Sequence, residues 1–307
     1  MVPKQISLVF LLAWCPALWA QGHCARVFTD VTFRFAIETP VPDGPNAPMA
    51  LDLYHTDLDL SFRPSGWEVV VSRDGVVTGA TGLDLLPVDA LLVGNPASRW
   101  VLSSIPPTFD FIGARPGEPF WILPQNAGTG ALPLGVAAER ADRGRLCAWN
   151  PGDPRGADTE DLWFEMRLLQ VRGPADANFA MWQTAGGSAP VVFVSTHEGG
   201  ISADDVFYLS AGSHVHMNWG FTQLGFYEID FRIATVLHCE EWLTADWVPL
   251  GGPFYNGDCQ VDFRDFAHLA AQWLNIPAID DPHDPEDNQA LLLLVDQWLE
   301  CGYPGCH

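Results

Sequence analysis

The chain has 307 residues, of which 38 are acidic and 15 are basic, and its formal charge at neutral pH is −23. This balance repels nucleic acid and anionic lipid, so neither is an expected partner. Hydrophobic residues make up 48% of the chain and charged residues only 17%. Such a composition is typical of a folded protein with a substantial core and excludes an intrinsically disordered one.

Residues 1–20 have the pattern of a secretory signal peptide. Lys4 supplies the positive charge, Ile6–Leu12 supplies the apolar segment, and Ala17–Ala20 supplies a cleavage site before Gln21. The apolar run is too short to span a bilayer, and no later segment is expected to form a transmembrane helix. The sequence therefore predicts an exported protein, located in the extracellular space, at the cell surface or in the periplasm.

The segment 21–240 is predicted to be a mainly β domain. Short runs of alternating apolar residues, separated by Gly, Pro, Asn and Asp, are typical of strands and turns. Roughly nine or ten strands favour an antiparallel β-sandwich, with a closed barrel as the alternative. The clearest runs are Val31–Phe35, Trp67–Val71, Phe120–Leu123, Leu162–Leu169, Val191–Val194 and Phe226–Ile233. The tryptophans expected in its core are Trp67, Trp121, Trp163, Trp182 and Trp219.

A different spacing of apolar residues begins beyond residue 250 and indicates helices. One stripe at helical spacing runs along 262–274 and another along 288–299, and each ends in Gln-Trp-Leu. We predict a linker over 241–252 and a small acidic α-helical hairpin over 253–307.

Six cysteines remain after the signal peptide. An even number in an exported chain predicts up to three disulfides, whose pairing the sequence leaves open. The candidates are Cys24, Cys147, Cys239, Cys259, Cys301 and Cys306.

Two segments carry residues that suit a metal ion. His214 and His216 are two positions apart in a strand-like run, so both side chains point to the same face. His55 and Asp57 repeat this spacing in a second segment. If the two strands are neighbours, three imidazoles and one carboxylate can share a divalent ion, either Zn²⁺ or Mn²⁺. Ordinary exposed histidines on a strand are the competing interpretation.

Other residues near these segments extend the hypothesis. Asp59 and Asn218 are candidates to support the ligands from outside, and His197 with Glu198 could supply a general base. We nevertheless expect no catalysis, because nucleophile, phosphate-loop and zinc-protease motifs are absent from the sequence. The alternatives are an extracellular metal-dependent hydrolase and a carbohydrate-binding module.

Five motifs in order resemble those of the choice-of-anchor M domain, also described as the actinobacterial surface-anchored protein repeat. They are Tyr54–Leu58, Phe109–Ala114, Pro119–Gln125, Gly173–Phe179 and Gly212–Thr222. The resemblance implies a non-catalytic binding module on an exported, surface-held protein, of the kind found beside metal-type transport components. The positions matching the family pattern include His55, Asp57, His214 and His216, whereas Tyr54 replaces the usual glycine.

The acidic C-terminal segment resembles a degenerate type I dockerin module of the planctomycete kind. That resemblance implies a calcium loop in which Asn256, Asp258, Asp262 and Asp265 supply side-chain oxygens and Gln260 a backbone carbonyl. Phe254 and Cys259 depart from the expected Asp and Gly of such a loop, and the second copy of the loop has lost its ligand set. The implied partner is a cohesin-like or cell-surface protein, and a helical hairpin without calcium is the alternative.

Overall fold

The structure is a computed structural model that describes residues 24–238, apart from 54, 64–65, 74–81, 127, 129, 186–188 and 198. Within these residues the chain forms sixteen strands and four short 3₁₀ turns. The strands are β1 Cys24–Ile37, β2 Met49–Leu51, β3 Thr56–Arg63, β4 Gly66–Arg73, β5 Leu83–Leu85, β6 Ala90–Gly94, β7 Arg99–Val101, β8 Pro119–Leu123, β9 Leu134–Ala137, β10 Trp163–Arg172, β11 Phe179–Gln183, β12 Val191–Ser195, β13 Val206–Ser210, β14 His214–His216, β15 Asn218–Phe221 and β16 Gly225–His238. The 3₁₀ turns are Pro87–Asp89, Pro96–Ser98, Pro107–Ile112 and Arg143–Arg145.

The strands of the described part of the chain form three sheets. The first has the order β13-β10-β16-β1-β6-β2, the second β12-β11-β15-β8-β7, and the third β14-β9-β3-β4-β5. Most neighbours are antiparallel, but β6 runs parallel to both β1 and β2, and β9 runs parallel to β3. The long pair β1 and β16 is in register from Cys24 opposite His238 to Ile37 opposite Gly225.

One hydrophobic core joins the three sheets. Alternation along each strand sends every second side chain inward, and the inward positions hold large apolar residues. Fully buried members include Phe35 from the first sheet, Trp219 from the second and Phe62 from the third. Aromatic rings contact one another across the sheets, as between Phe35 and Trp219, whose ring centroids are 6.0 Å apart. The third sheet is therefore held rigidly by its apolar face, which leaves its other face for different residues.

The predicted mainly β architecture is confirmed, and all six predicted apolar runs lie in or directly beside strands. The prediction of nine or ten strands was too low, because β2, β5, β7, β9, β14 and β15 have only three or four residues each and show no periodicity. Four of the five tryptophans predicted in the core are buried and Trp67 is partly buried. The predicted signal peptide, the linker 241–252 and the helical segment 253–307 with its calcium loop lie outside the described residues.

A disulfide joins Cys24 at the start of β1 to Cys147, with a sequence separation of 123 residues. The other four cysteine candidates, Cys239, Cys259, Cys301 and Cys306, lie outside the described residues. The covalent loop encloses β1 to β9, so the bond restricts the unfolded chain strongly. No helix among the described residues has both the length and the apolar character needed to cross a bilayer.

Removing this disulfide should destabilise the protein. We expect Cys24→Ser with Cys147→Ser to lower the free energy of unfolding by about 2–5 kcal/mol, because a long loop regains its entropy in the unfolded state. Urea denaturation of the oxidised wild type and the variant measures the difference. Equal midpoints and slopes would show that the bond does not hold the sheets together.

A buried carboxylate supports the edge of the first sheet. Glu165 on β10 is 1% exposed, and its oxygens accept hydrogen bonds from Arg167 Nε at 2.9 Å and Tyr208 Oη at 3.1 Å, besides an ion pair with Arg26. Burial opposes ionisation, but the hydrogen bond from Arg167 and the attraction of Arg26 outweigh it and hold the pKa of Glu165 below its usual range.

This lowered pKa predicts a pH-dependent contribution to stability. The contribution is present above the unfolded carboxyl pKa of about 4.3 and is lost as the pH falls through the lower folded pKa. We expect Glu165→Gln to cost about 1–3 kcal/mol at pH 7 and to cost progressively less below about pH 4. Glu118→Gln, at an exposed pair with Arg115, is the matched control. A cost that does not vary between pH 7 and pH 3 in chemical denaturation would contradict the assignment.

Candidate metal centre

Strand β3 has an apolar face and an acidic face, and both are buried. Leu58 and Leu60 point into the core and are 0% exposed. Asp57 and Asp59 alternate with them, so they point to the opposite face of the sheet, yet they are only 7% and 4% exposed. Carboxylates are rarely buried without partners. These two buried carboxylates therefore require cationic or hydrogen-bonding partners on this face of the sheet.

Strand β14 places two histidines on that same face. Val215 packs against the core, so His214 and His216 on either side of it point away from the core. Each of these strand positions is partly buried. At Met217 the chain leaves the third sheet, and β15 continues in the second sheet. The strand-like run around the two histidines is thus two short strands in different sheets.

The short strand β9 lies between the acidic strand and the histidine strand. It pairs in parallel with β3 and antiparallel with β14. Gly135 is the register partner of both Asp57 and His216, and Ala137 is the partner of His214. Strands one position apart are about 4.8 Å apart, so side chains on β3 and β14 must reach across β9 to meet.

Gly135 makes this meeting possible. A Cβ atom at this position would clash with Asp57 Oδ1 and would lie 3.0 Å from His214 Nε2 and 3.2 Å from His216 Nε2. The space above the glycine is therefore the space in which the polar tips of the neighbouring strands converge. No side chain larger than hydrogen fits there without displacing them.

All four predicted metal ligands come together in this space. His214 Nε2 lies 2.8 Å from Asp57 Oδ1, and His216 Nε2 lies 2.7 Å from His55 Nε2. His216 Nε2 is also 3.8 Å from Asp57 Oδ1, and one ligand atom of each residue lies within 4.8 Å of all the others. These residues could hold a metal ion.

The protonation state of His216 suits a bound cation. Burial lowers the pKa of His216 to about 4; Asp57 opposes the shift, and the nearby His55 and His214 add to it. His216 is therefore neutral at neutral pH, and its Nε2 faces another ring nitrogen. Nδ1 of His216 and Nδ1 of His55 are buried without a hydrogen-bond partner, although the latter lies 3.3 Å from Asp57 Oδ2. Neutral imidazole is the form that binds metals.

Asp59 extends the acidic face but is engaged elsewhere. Its Oδ2 is 2.8 Å from Arg140 Nε, and Arg140 also donates to both oxygens of Asp84. Burial raises the pKa of Asp59 to about 6, since it outweighs the attraction of Arg140, while Asp84 and Asp57 add repulsion. Its other oxygen, Oδ1, is buried without a hydrogen-bond partner. No pattern in the sequence pointed to Arg140, which follows β9 in the chain.

Two other predicted residues lie away from the cluster. The Asn218 side chain accepts from the Gln125 backbone N–H at 3.0 Å and donates to the Gln125 side chain, so it braces β15 and not the histidines. His197 lies beside Gly113 and Asn178, next to a 3₁₀ turn. Glu198, the other half of the predicted general base, lies outside the described residues.

The chain was compared with protein-family models, with curated proteins and with solved structures, and none of them matches it. The candidate metal centre is therefore defined by its geometry alone, and the resemblances drawn from the sequence motifs stay predictions.

Substitution of Gly135 tests the geometry directly. We expect Gly135→Ala to weaken Zn²⁺ binding by about tenfold or more, because the added methyl group displaces Asp57 and both β14 imidazoles, and displaced outer contacts alone have effects of that size. Competition with a chromophoric chelator measures the affinity. Gly82→Ala is the matched control, since its Cβ would meet only the Arg73 carbonyl oxygen at 3.7 Å. Equal affinities for the two variants would contradict the assignment.

Proposed function

We propose that this chain is an exported, non-catalytic binding protein that holds one divalent metal ion in a β-sandwich domain. His55, Asp57, His214 and His216 are the proposed ligands, and Zn²⁺ or Mn²⁺ is the proposed ion. The observation that carries the proposal is the convergence of three imidazoles and one carboxylate above Gly135, from segments about 160 residues apart in the chain.

The short distances in the cluster support a shared ion. Two ring nitrogens 2.7 Å apart repel each other through their lone pairs unless a proton or a cation lies between them. The lowered pKa keeps the His216 ring neutral at neutral pH, so the two nitrogens share either the single N–H of one neutral ring or a bound cation. A tetrahedral ion with bonds of about 2.0–2.1 Å would need the nitrogens only some tenths of an ångström farther apart. Small rotations of the side chains are enough for that change.

The choice of ion follows from the donor atoms. Imidazole nitrogens suit Zn²⁺ and other transition metals, whereas Ca²⁺ and Mg²⁺ prefer a shell of oxygens. One carboxylate beside three neutral imidazoles leaves a net positive charge on a zinc or manganese site. The overall charge of −23 offsets that positive charge and favours cation uptake.

The binding role, as opposed to catalysis, rests on the resemblance to the choice-of-anchor M domain, which implies a surface receptor or binding module. The dockerin-like segment 253–307 completes the proposal as an attachment module for a cohesin-like or cell-surface partner. Ca²⁺ is the proposed ion of that module, with Asn256, Asp258, Gln260, Asp262 and Asp265 as its proposed ligands.

Elemental analysis of protein purified without chelators tests the metal site. We expect the wild type to retain about one equivalent of Zn²⁺ or Mn²⁺ and His214→Ala with His216→Ala to retain almost none, because two of four ligands are lost. His197→Ala is the control, since this histidine lies outside the cluster. Circular dichroism should show that both variants keep their β structure.

The same metal content in the wild type and the double variant would reject the proposal. Added Zn²⁺ should also raise the unfolding temperature of the wild type only, since binding at 100 times Kd stabilises a folded protein by about 2.7 kcal/mol.

A further inference from the structure

A second cluster of metal-binding residue types lies where β1 and β16 pair in the first sheet, whereas the histidine and aspartate site lies on the third sheet. It consists of Cys24, Cys147 and His238. Cys24 and His238 are direct partners in the β1–β16 ladder. Cys147 is placed beside them because its N–H donates to the Val236 carbonyl at 2.8 Å. Backbone pairing therefore fixes all three residues independently of the disulfide.

The histidine ring is close to both sulfur atoms. Nδ1 of His238 lies 3.1 Å from Sγ of Cys147 and 4.0 Å from Sγ of Cys24. A tetrahedral zinc ion with Zn–S bonds of about 2.3 Å and Zn–N bonds of about 2.0–2.1 Å brings sulfur and nitrogen to within roughly 3.5 Å of each other. The two measured distances bracket that value, so the nitrogen is already at ligand distance from both cysteines.

The rest of the geometry also fits an ion. The Cα atoms of the cysteines are 6.1 Å apart, so their side chains can separate into two zinc ligands without a shift of the backbone. Cys147 is buried while Cys24 and His238 are exposed. One side of the cluster is therefore open to solvent, which gives an ion a path of entry and a water as fourth ligand.

We propose that Cys24, Cys147 and His238 form a zinc site that the disulfide keeps closed and that reduction opens. An external dithiol transfers two electrons and two protons to the bond, which yields two cysteine thiols and the cyclic disulfide of the reductant. Zn²⁺ then displaces both thiol protons and binds the two thiolates, His238 Nδ1 and water. In the oxidised chain a disulfide joins Cys24 to Cys147. In the reduced chain a zinc ion joins the same two cysteines and His238.

This proposal does not depend on the histidine and aspartate site, which has no sulfur donor. Co²⁺ is the appropriate probe, because thiolate ligands give it a charge-transfer absorption in the near ultraviolet that nitrogen and oxygen ligands do not give. The chain without its predicted signal peptide, residues 1–20, is reduced anaerobically with a phosphine and titrated with Co²⁺. Cys239, Cys259, Cys301 and Cys306 are replaced by Ser so that only two thiols remain.

We expect the absorption in the reduced chain, its absence in the oxidised chain, and its loss on addition of equimolar Zn²⁺. His238→Gln should weaken Co²⁺ binding by about tenfold or more, since it removes a direct ligand and loss of outer contacts alone can have that effect. His197→Gln is the matched control and should leave the affinity unchanged.

Two results would overturn the proposal: no thiolate absorption in the reduced chain, or an absorption with the same affinity in His238→Gln. If the chain with four added serines does not fold, the difference spectrum between reduced wild type and its Cys24→Ser variant gives the same answer. Cys24 is exposed, so this substitution leaves the core intact.

Discussion

The absence of a side chain at Gly135 is the constraint on which the candidate metal centre depends. Strands β3 and β14 are not neighbours, because β9 lies between them. A side chain on β9 would normally keep the side chains of β3 and β14 apart. Because position 135 carries only hydrogen, Asp57 reaches to 2.8 Å from His214 Nε2 across the gap. A parallel and an antiparallel pairing meet at this one residue, and both must be in register for the ligands to converge.

Burial of two carboxylates on this face of the sheet costs free energy, and an arginine nearby offsets part of that cost. Asp57 and Asp59 are both nearly buried, and burial, with smaller repulsion from Asp84 and Asp57, raises the pKa of Asp59 to about 6. Arg140 neutralises part of that charge through its ion pair with Asp59, and it is itself held by Asp84. A divalent ion beside Asp57 would neutralise the remainder. The buried acidic face and the histidine cluster are therefore two parts of one electrostatic arrangement.

The two pairs of candidate ligands can be recognised from the sequence, because their spacing of two residues on a strand is a local property. Their convergence is not local. It requires the pairing of β3 and β14 with β9, a four-residue strand in which neither Gly135 nor its neighbours show any distinctive pattern. Likewise, the apolar runs locate the long strands, whereas three-residue strands such as β14 exist only because a neighbouring strand offers backbone hydrogen bonds. Disulfide pairing is also beyond sequence, since Cys24 and Cys147 meet only after β1 and β16 align.

Among the strands of the described residues, β14 is the terminal member of its sheet, and it has only three residues. A terminal strand leaves one row of backbone groups free to recruit a strand from another molecule, and short length is one protection against this. An ion bound by His214, His216 and Asp57 would be another protection, because it would link the terminal strand β14 to the central strand β3. Loss of the metal would then destabilise the pairing of the edge strand β14 first and leave the core unchanged. Self-association through this edge would therefore precede unfolding.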